Sequence, residues 1–130
     1  MTPAEHLDAV KECLLADPAV AEFRIRRQRA TSIDAHIRAR VTAADGSLLE
    51  FSWYVARDLT GELRVLVYSY HWESQEGALI TRWDNTPHFP GLLGFPHHIH
   101  HGDTYDALPG QAMDIFAVLD HIQGVLGISS

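Results

Sequence analysis

The chain predicts an α+β fold, and three observations carry that prediction. Apolar residues recur at helical spacing near both ends, they alternate with polar ones through the middle, and short turn signals divide that middle into strands. The expected architecture is a five-stranded antiparallel meander. The N- and C-terminal helices lie on one face, and a long His/Pro-rich loop precedes the second helix. With 130 residues, the simplest organisation is a single domain over 1–130.

Thr2-Pro3-Ala4-Glu5 has the composition of a helix start: a capping hydroxyl, a proline in the first turn and an acid three residues after the cap. Leu7, Val10 and Leu14 follow at helical spacing, and Asp17-Pro18 ends the run. The period then changes to two. Phe23 and Ile25 alternate with Arg24 and Arg26. Ile33, Ala35, Ile37, Ala39 and Val41 alternate with Asp34, His36, Arg38, Arg40 and Thr42, a half-buried strand with one basic face. Asp45-Gly46 marks a hairpin turn, after which Phe51, Trp53 and Val55 are expected to face inward. Thr60-Gly61 turns the chain again. Leu63 to Trp72 is apolar on both faces, which predicts a central strand covered on both sides. Leu79 to Trp83 is the fifth strand. Pro109-Gly110 precedes the second helix, with Ala112, Ile115, Phe116, Leu119, Ile122 and Leu126 as its apolar stripe.

Composition narrows the function classes. A net charge of −7 argues against a surface built throughout for nucleic acid. The charge is unevenly spread, however. From Arg24 to Arg40 there are six arginines against one acid, and from Trp83 onward there are five acids and no lysine or arginine. No apolar run approaches the ~20 residues of a bilayer span, and the N-terminus lacks the pattern of a signal peptide. The lone Cys13 has no internal disulfide partner and fits a small buried hydrophobe. A cytoplasmic location with no membrane partner is the expectation.

The run RWDNTPHFPGLLGFPHHIHHGD, Arg82 to Asp103, holds five of the nine histidines and three of the six prolines. Proline removes a donor and biases its predecessor away from helix, so an ordered irregular loop is expected. Its apolar residues argue against disorder. In an extended segment His98 and His100 would share one side, with His97, Ile99 and His101 on the other. A His-x-His pair can supply one base and one acid near neutral pH. His98, His100, His97 and His88 are therefore the candidate catalytic imidazoles, with Asp84 to orient a ring. The alternative is that these histidines hold the loop in shape. Arg82 offers a planar fork to a phosphate, whereas Asp84 and Asn85 equally suit a turn. Arg24, Arg26, Arg27, Arg29, Arg38 and Arg40 are expected to meet across the first hairpin as a phosphate-binding row, the alternatives being a solvated face or a dock for an acidic partner. Tyr54, Tyr68, Tyr70 and Trp72 are read as core rather than as base-stacking rings. No cysteine joins the histidines and no His-Glu-x-x-His helix is present, so neither a metal nor a cofactor is expected.

YSYHW at Tyr68–Trp72, LITRWDNTPHFP at Leu79–Pro90 and FPHHIHH at Phe95–His101 together resemble the signature of the TumE-type toxins of bacterial toxin–antitoxin modules. Tyr68, Tyr70 and His71 match its first part; Arg82, Trp83, Asp84, Asn85, Pro87 and His88 its second; Phe95, Pro96, His97, His98 and His100 its third. Two positions depart: Phe89 stands where the pattern has a histidine and Ile99 where it has a lysine. The resemblance implies a small toxin paired with a helix-turn-helix antitoxin. Of three functions weighed, the first is a metal-independent ribonuclease, with RNA as a partner. RNA cleavage through its own 2′-hydroxyl needs only a base, an acid and a cation. The second is a metal-dependent hydrolase and the third a non-catalytic partner-binding protein with structural histidines. A homodimer is the other assembly considered.

Overall fold

The computed structural model describes residues 1–85, 97–102, 108–109 and 113–128, with the backbone alone for 98, 108 and 109. Most of the expected loop, including His88, lies outside these residues. The helices and strands are α1 (Pro3–Ala16), β1 (Val20–Ala30), β2 (Asp34–Ala43), β3 (Leu48–Arg57), β4 (Leu63–Glu73), β5 (Leu79–Asp84), β6 (His98–His101), β7 (Leu108–Pro109) and α2 (Ile115–Leu126). The strands form one sheet in chain order, every neighbour antiparallel.

The first helix is stopped at both ends by its own sequence. The Glu5 N–H donates to Thr2 Oγ1 at 3.1 Å and the Thr2 N–H donates to Glu5 Oε1 at 2.9 Å, so two orphan donors are satisfied reciprocally. Asp17 caps the far end. Leu7, Val10 and Leu14 then join Ile115, Val118, Leu119 and Ile122 of α2 in one core against the sheet's inner face. Both helices thus cover the same side, and Gln123 Nε2 donates to Asp17 Oδ1 at 3.0 Å between them. Asp114 caps α2 by accepting from the Ala117 N–H, and Gly127 closes it at φ +70°. The second helix therefore begins later than expected. Pro109 belongs to β7, and Ala112 falls outside the described residues.

Four expectations are corrected. The sheet has seven strands rather than five, because β6 and the two-residue β7 extend it. The run from Arg82 is not irregular at its ends: Arg82–Asp84 finishes β5 and His98–His101 forms β6. HHIHH contains no proline, and its Ile99 pairs with Trp83 and packs on the core. Finally, β4 is covered on one face only. A bulge sets Val65 opposite Val55 but Val67 opposite Tyr54, leaving Leu66 unmatched. Leu66 and Val67 stay more than half exposed, while Tyr68, Tyr70 and Trp72 are buried. β2 starts at Asp34, so Ile33 is exposed rather than inside. The Asp45-Gly46 turn is present: Gly46 adopts φ +85°, and Ser47, bonded to Asp45, accepts from the buried Trp72 indole at 2.9 Å. No described helix is long and apolar enough to cross a membrane.

His6 packs edge-on to Trp53 at 4.9 Å, and His121 packs edge-on to Trp83 at 5.4 Å. Burial lowers the pKa of both rings, and of His36. Between the lowered folded values and the ordinary value of about 6.5, the unfolded chain binds protons that the fold resists. Stability is therefore fully present above that value and falls as pH drops below it. The expected outcome is a lower melting temperature at pH 5.5 than at pH 7.5, with a smaller drop in His6→Asn and His121→Asn. Equal drops in the variants and the parent would show that these rings do not set the window. The depressed carboxylates Asp34 and Asp45 act separately, below about pH 4.

Candidate functional site

Among the described residues the helices leave the opposite face of the sheet open, and strand register sorts its residues into rows. The first row runs Arg24–Arg40–Glu50–His71–Arg82–His100, each residue paired with the next across neighbouring strands. The second runs Arg27–Arg38–Ser52–Ser69–Asp84–His98. The third runs Arg29–His36–Tyr54–Val67. A register shift between Ile25 and Arg27 makes β1 so basic on this face. Without the bulge at Arg26, strict alternation would turn Arg27 and Arg29 inward.

Side chains in the middle of the face are paired. Arg38 Nη2 lies 3.4 Å from Glu50 Oε1, and His71 Nε2 lies 3.4 Å from Glu73 Oε2. Arg82 Nε lies 3.0 Å from Oδ2 of Asp84, whose side chain is only 1% exposed. Together with the short Ser52 and Ser69, the residues Arg38, Glu50, His71, Glu73 and Arg82 line a shallow depression of about 370 Å³. Toward β1 the pattern changes. Among the described residues no ion pair forms on Arg24, Arg26, Arg27, Arg29 or Arg40. His36 sits among them, its pKa lowered first by burial and then by Arg27, Arg29 and Arg38.

The candidate histidines are divided by the sheet. His100 joins Arg82 on the open face, and the His98 backbone pairs with Asp84. His97 is elsewhere: its ring stacks on Tyr68 at 5.8 Å, and its Nδ1 lies 2.9 Å from the Tyr68 hydroxyl. Burial pushes the Tyr68 pKa up to about 12, partly offset by a backbone hydrogen bond with Met113. The phenol therefore keeps its proton at neutral pH and can donate it to His97. Tyr70 donates to the Met113 carbonyl at 3.1 Å, so the tyrosine pair grips the chain just before α2. His101 is opposite Thr81, 3.3 Å from its hydroxyl. Asn85 is structural: its amide accepts from the Tyr68 N–H at 2.9 Å and donates to the Leu66 carbonyl at 2.8 Å, satisfying the β4 backbone beside the bulge. Tyr68, Tyr70 and Trp72 are core, whereas Tyr54 lies on the open face with its hydroxyl on Asp34 at 2.8 Å.

Sequence reasoning matched His71 to a motif without assigning it a site, and passed over Ser52 and Ser69. The signal was available: Ser69, His71 and Glu73 alternate with the buried Tyr68, Tyr70 and Trp72. Among the described residues, no group of three or more His, Cys, Asp or Glu is placed to hold a metal ion.

Fold and face together define a small α+β protein with an open, arginine-rich sheet face and a His–Arg–His row. The family described as Toxin TumE matches residues 10–126, from within α1 to the last residue of α2. The chain belongs to the TumE toxin family, and is thus a toxin of a toxin–antitoxin system with an antitoxin as its partner. No curated protein and no solved structure matches it.

The Tyr68–His97 contact is testable by a double-mutant cycle. Tyr68→Phe and His97→Ala should each destabilise by about 1 kcal/mol in urea unfolding. Their effects should be non-additive by about 0.5 kcal/mol or more. Strict additivity would show that the two side chains do not interact.

Proposed function

We propose that this toxin is a metal-independent ribonuclease whose reaction is centred on Arg82, between His71 and His100. The observation that carries the reading is the cross-strand row His71–Arg82–His100 on the open face. Adjacent strands lie about 4.8 Å apart, so the two histidines start about 10 Å apart at their Cα atoms. Their imidazoles can lean toward a phosphate seated over the guanidinium between them.

The chemistry follows from that placement. One imidazole takes the proton of a ribose 2′-hydroxyl as its oxygen attacks the adjacent phosphorus. The phosphorus–5′-oxygen bond breaks, and the other imidazole, protonated, gives its proton to the departing 5′-oxygen. The products are a 2′,3′-cyclic phosphate and a free 5′-hydroxyl. Arg82 stabilises the charge that gathers on the non-bridging oxygens. Asp84, buried beside it, holds the guanidinium in place and fixes its direction. The His98 backbone pairs with Asp84 in register. His97, stacked on Tyr68, positions β6. The antitoxin is read as a helix-turn-helix protein from the resemblance alone, and a neighbouring gene of that class would support it.

The test combines cleavage with stability. His71→Ala and His100→Ala should each lower RNA cleavage by about a hundredfold or more, in buffer containing chelator, with melting temperatures close to the parent. His98→Ala is measured beside them. Arg82→Lys is preferred to Arg82→Ala, because it leaves a cation beside the buried Asp84 carboxylate. Its cleavage should still fall, since an ammonium cannot reproduce the planar fork. Parallel loss of cleavage and stability in both histidine variants would assign these residues to the scaffold. Activity that vanishes with chelator would favour the metal-dependent hydrolase instead.

A further inference from the structure

The nine arginines are not equivalent. Arg57 is spent on structure, donating to the carbonyls of Ser32, Gly61 and Met1. Arg64 pairs with Asp58 and Glu62, Arg38 with Glu50, and Arg82 with Asp84. That leaves Arg24, Arg26, Arg27, Arg29 and Arg40, all exposed on β1 and β2, with neither an ion pair nor a side-chain hydrogen bond among the described residues. In a chain of net charge −7, this concentrates uncompensated positive charge at one side of one face.

We propose that these five arginines hold the phosphates of a single-stranded RNA flank that runs across the strands, so that the RNA is cut near one end of its footprint. The proposal rests on the ribonuclease reading for the position of the cut alone. The rows set the direction. Arg24–Arg40 leads through Glu50 to His71–Arg82–His100, perpendicular to the strands. Between β2 and β5 lie three strand spacings, about 14 Å, bridged by the compensated Ser52–Ser69 depression. A dinucleotide at Arg82 cannot also reach β1, whereas a longer strand can. The third row favours an unpaired strand. His36 and Tyr54 present rings beside Arg29 on the open face, and unstacked bases take such surfaces while a duplex hides theirs. The charge pattern agrees: a phosphate arriving at the unpaired arginines breaks no existing ion pair.

The test separates binding from cleavage. Binding is read with a labelled 2′-O-methyl RNA 12-mer, which cannot be cut through its 2′ oxygen. Wild-type affinity should fall with salt, and Arg27→Ala/Arg40→Ala should reduce the log–log salt slope by about 1.4, for two lost contacts at about 0.7 each. The His36 imidazole, watched by NMR, should titrate at higher pH in the complex, because the bound phosphate offsets Arg27, Arg29 and Arg38. In cleavage, kcat/KM for an unmodified 12-mer should exceed that for a dinucleotide at least tenfold, and the double variant should compress that ratio. An unchanged salt slope, or a length-independent kcat/KM, overturns the track. A duplex of the same sequence binding as tightly overturns its single-stranded character. A 12-residue glutamate peptide that displaces the RNA at equal concentration overturns it too, assigning the surface to an acidic protein segment. Intact binding with the slope change, but no cleavage of any RNA, upholds the track and sinks the ribonuclease reading.

Discussion

Trp83 sits between Tyr70 and Ile99 across three strands, with its indole buried against α2. Every residue of the candidate site depends on that placement. Side chains alternate along a strand, so burying Trp83 forces Arg82 and Asp84 to the other side of the sheet. Tyr70 does the same for Ser69 and His71, and Ile99 for His100. A slip of one residue would bury a guanidinium and expose an indole, a loss far larger than any gain on the open face. The His–Arg–His row is therefore a consequence of core packing. Its residues need no contact with one another to be held in line.

The same logic explains Ile99, where the family pattern has a lysine. Ile99 is on the core side, opposite Trp83, and packs with the buried cluster. Its apolar character adds to the seam that sets the register of β6 on β5. In this chain, then, the departure takes no charge away from the open face, and the cation there is Arg82. The tyrosine motif has a related role. Tyr68 and Tyr70 stack at 5.3 Å and reach beyond the sheet, one to His97 and both to Met113. They tie the start of β6 and the approach to α2 to the centre of the sheet. The motif thus mixes residues on the face away from the helices with residues that aim the strands carrying them.

Local sequence showed what is locally determined. The capping box of α1, the alternation of β2 and the Asp45-Gly46 turn each rest on residues a few positions apart, and each is present. The arginine rows were legible for the same reason, although the bulge at Arg26 that turns Arg27 and Arg29 outward was not. β6 was hidden because its partner lies some fifteen residues upstream, beyond prolines that dominated the local signal. The second bulge, at Leu66, made β4 look apolar on both faces, because it shifts the phase of the alternation midway. His71 escaped as a site residue because its neighbours in the site, Arg82 and His100, are adjacent only across strands. Asp84 was legible as a candidate, but its buried grip on Arg82 depends on the register of three strands.

The sheet's first strand carries a second constraint. β1 has eleven residues and, among the described residues, one strand neighbour, which leaves its other edge without a strand partner there. Long bare edges invite pairing with another chain, and natural proteins blunt them with charge and bulges. β1 has both: a bulge at Arg26 and four arginines between Arg24 and Arg29. Two copies of β1 brought edge to edge would set these like charges side by side, which disfavours a homodimer formed through this strand. Charges that repel a second copy attract a polyanion, so one set of side chains can meet both demands. Glu50 and Asp84 balance Arg38 and Arg82, which confines that positive field to the β1 side. Long-range attraction then acts at the edge, while at the centre of the face Glu50 stays on Arg38 and Asp84 on Arg82.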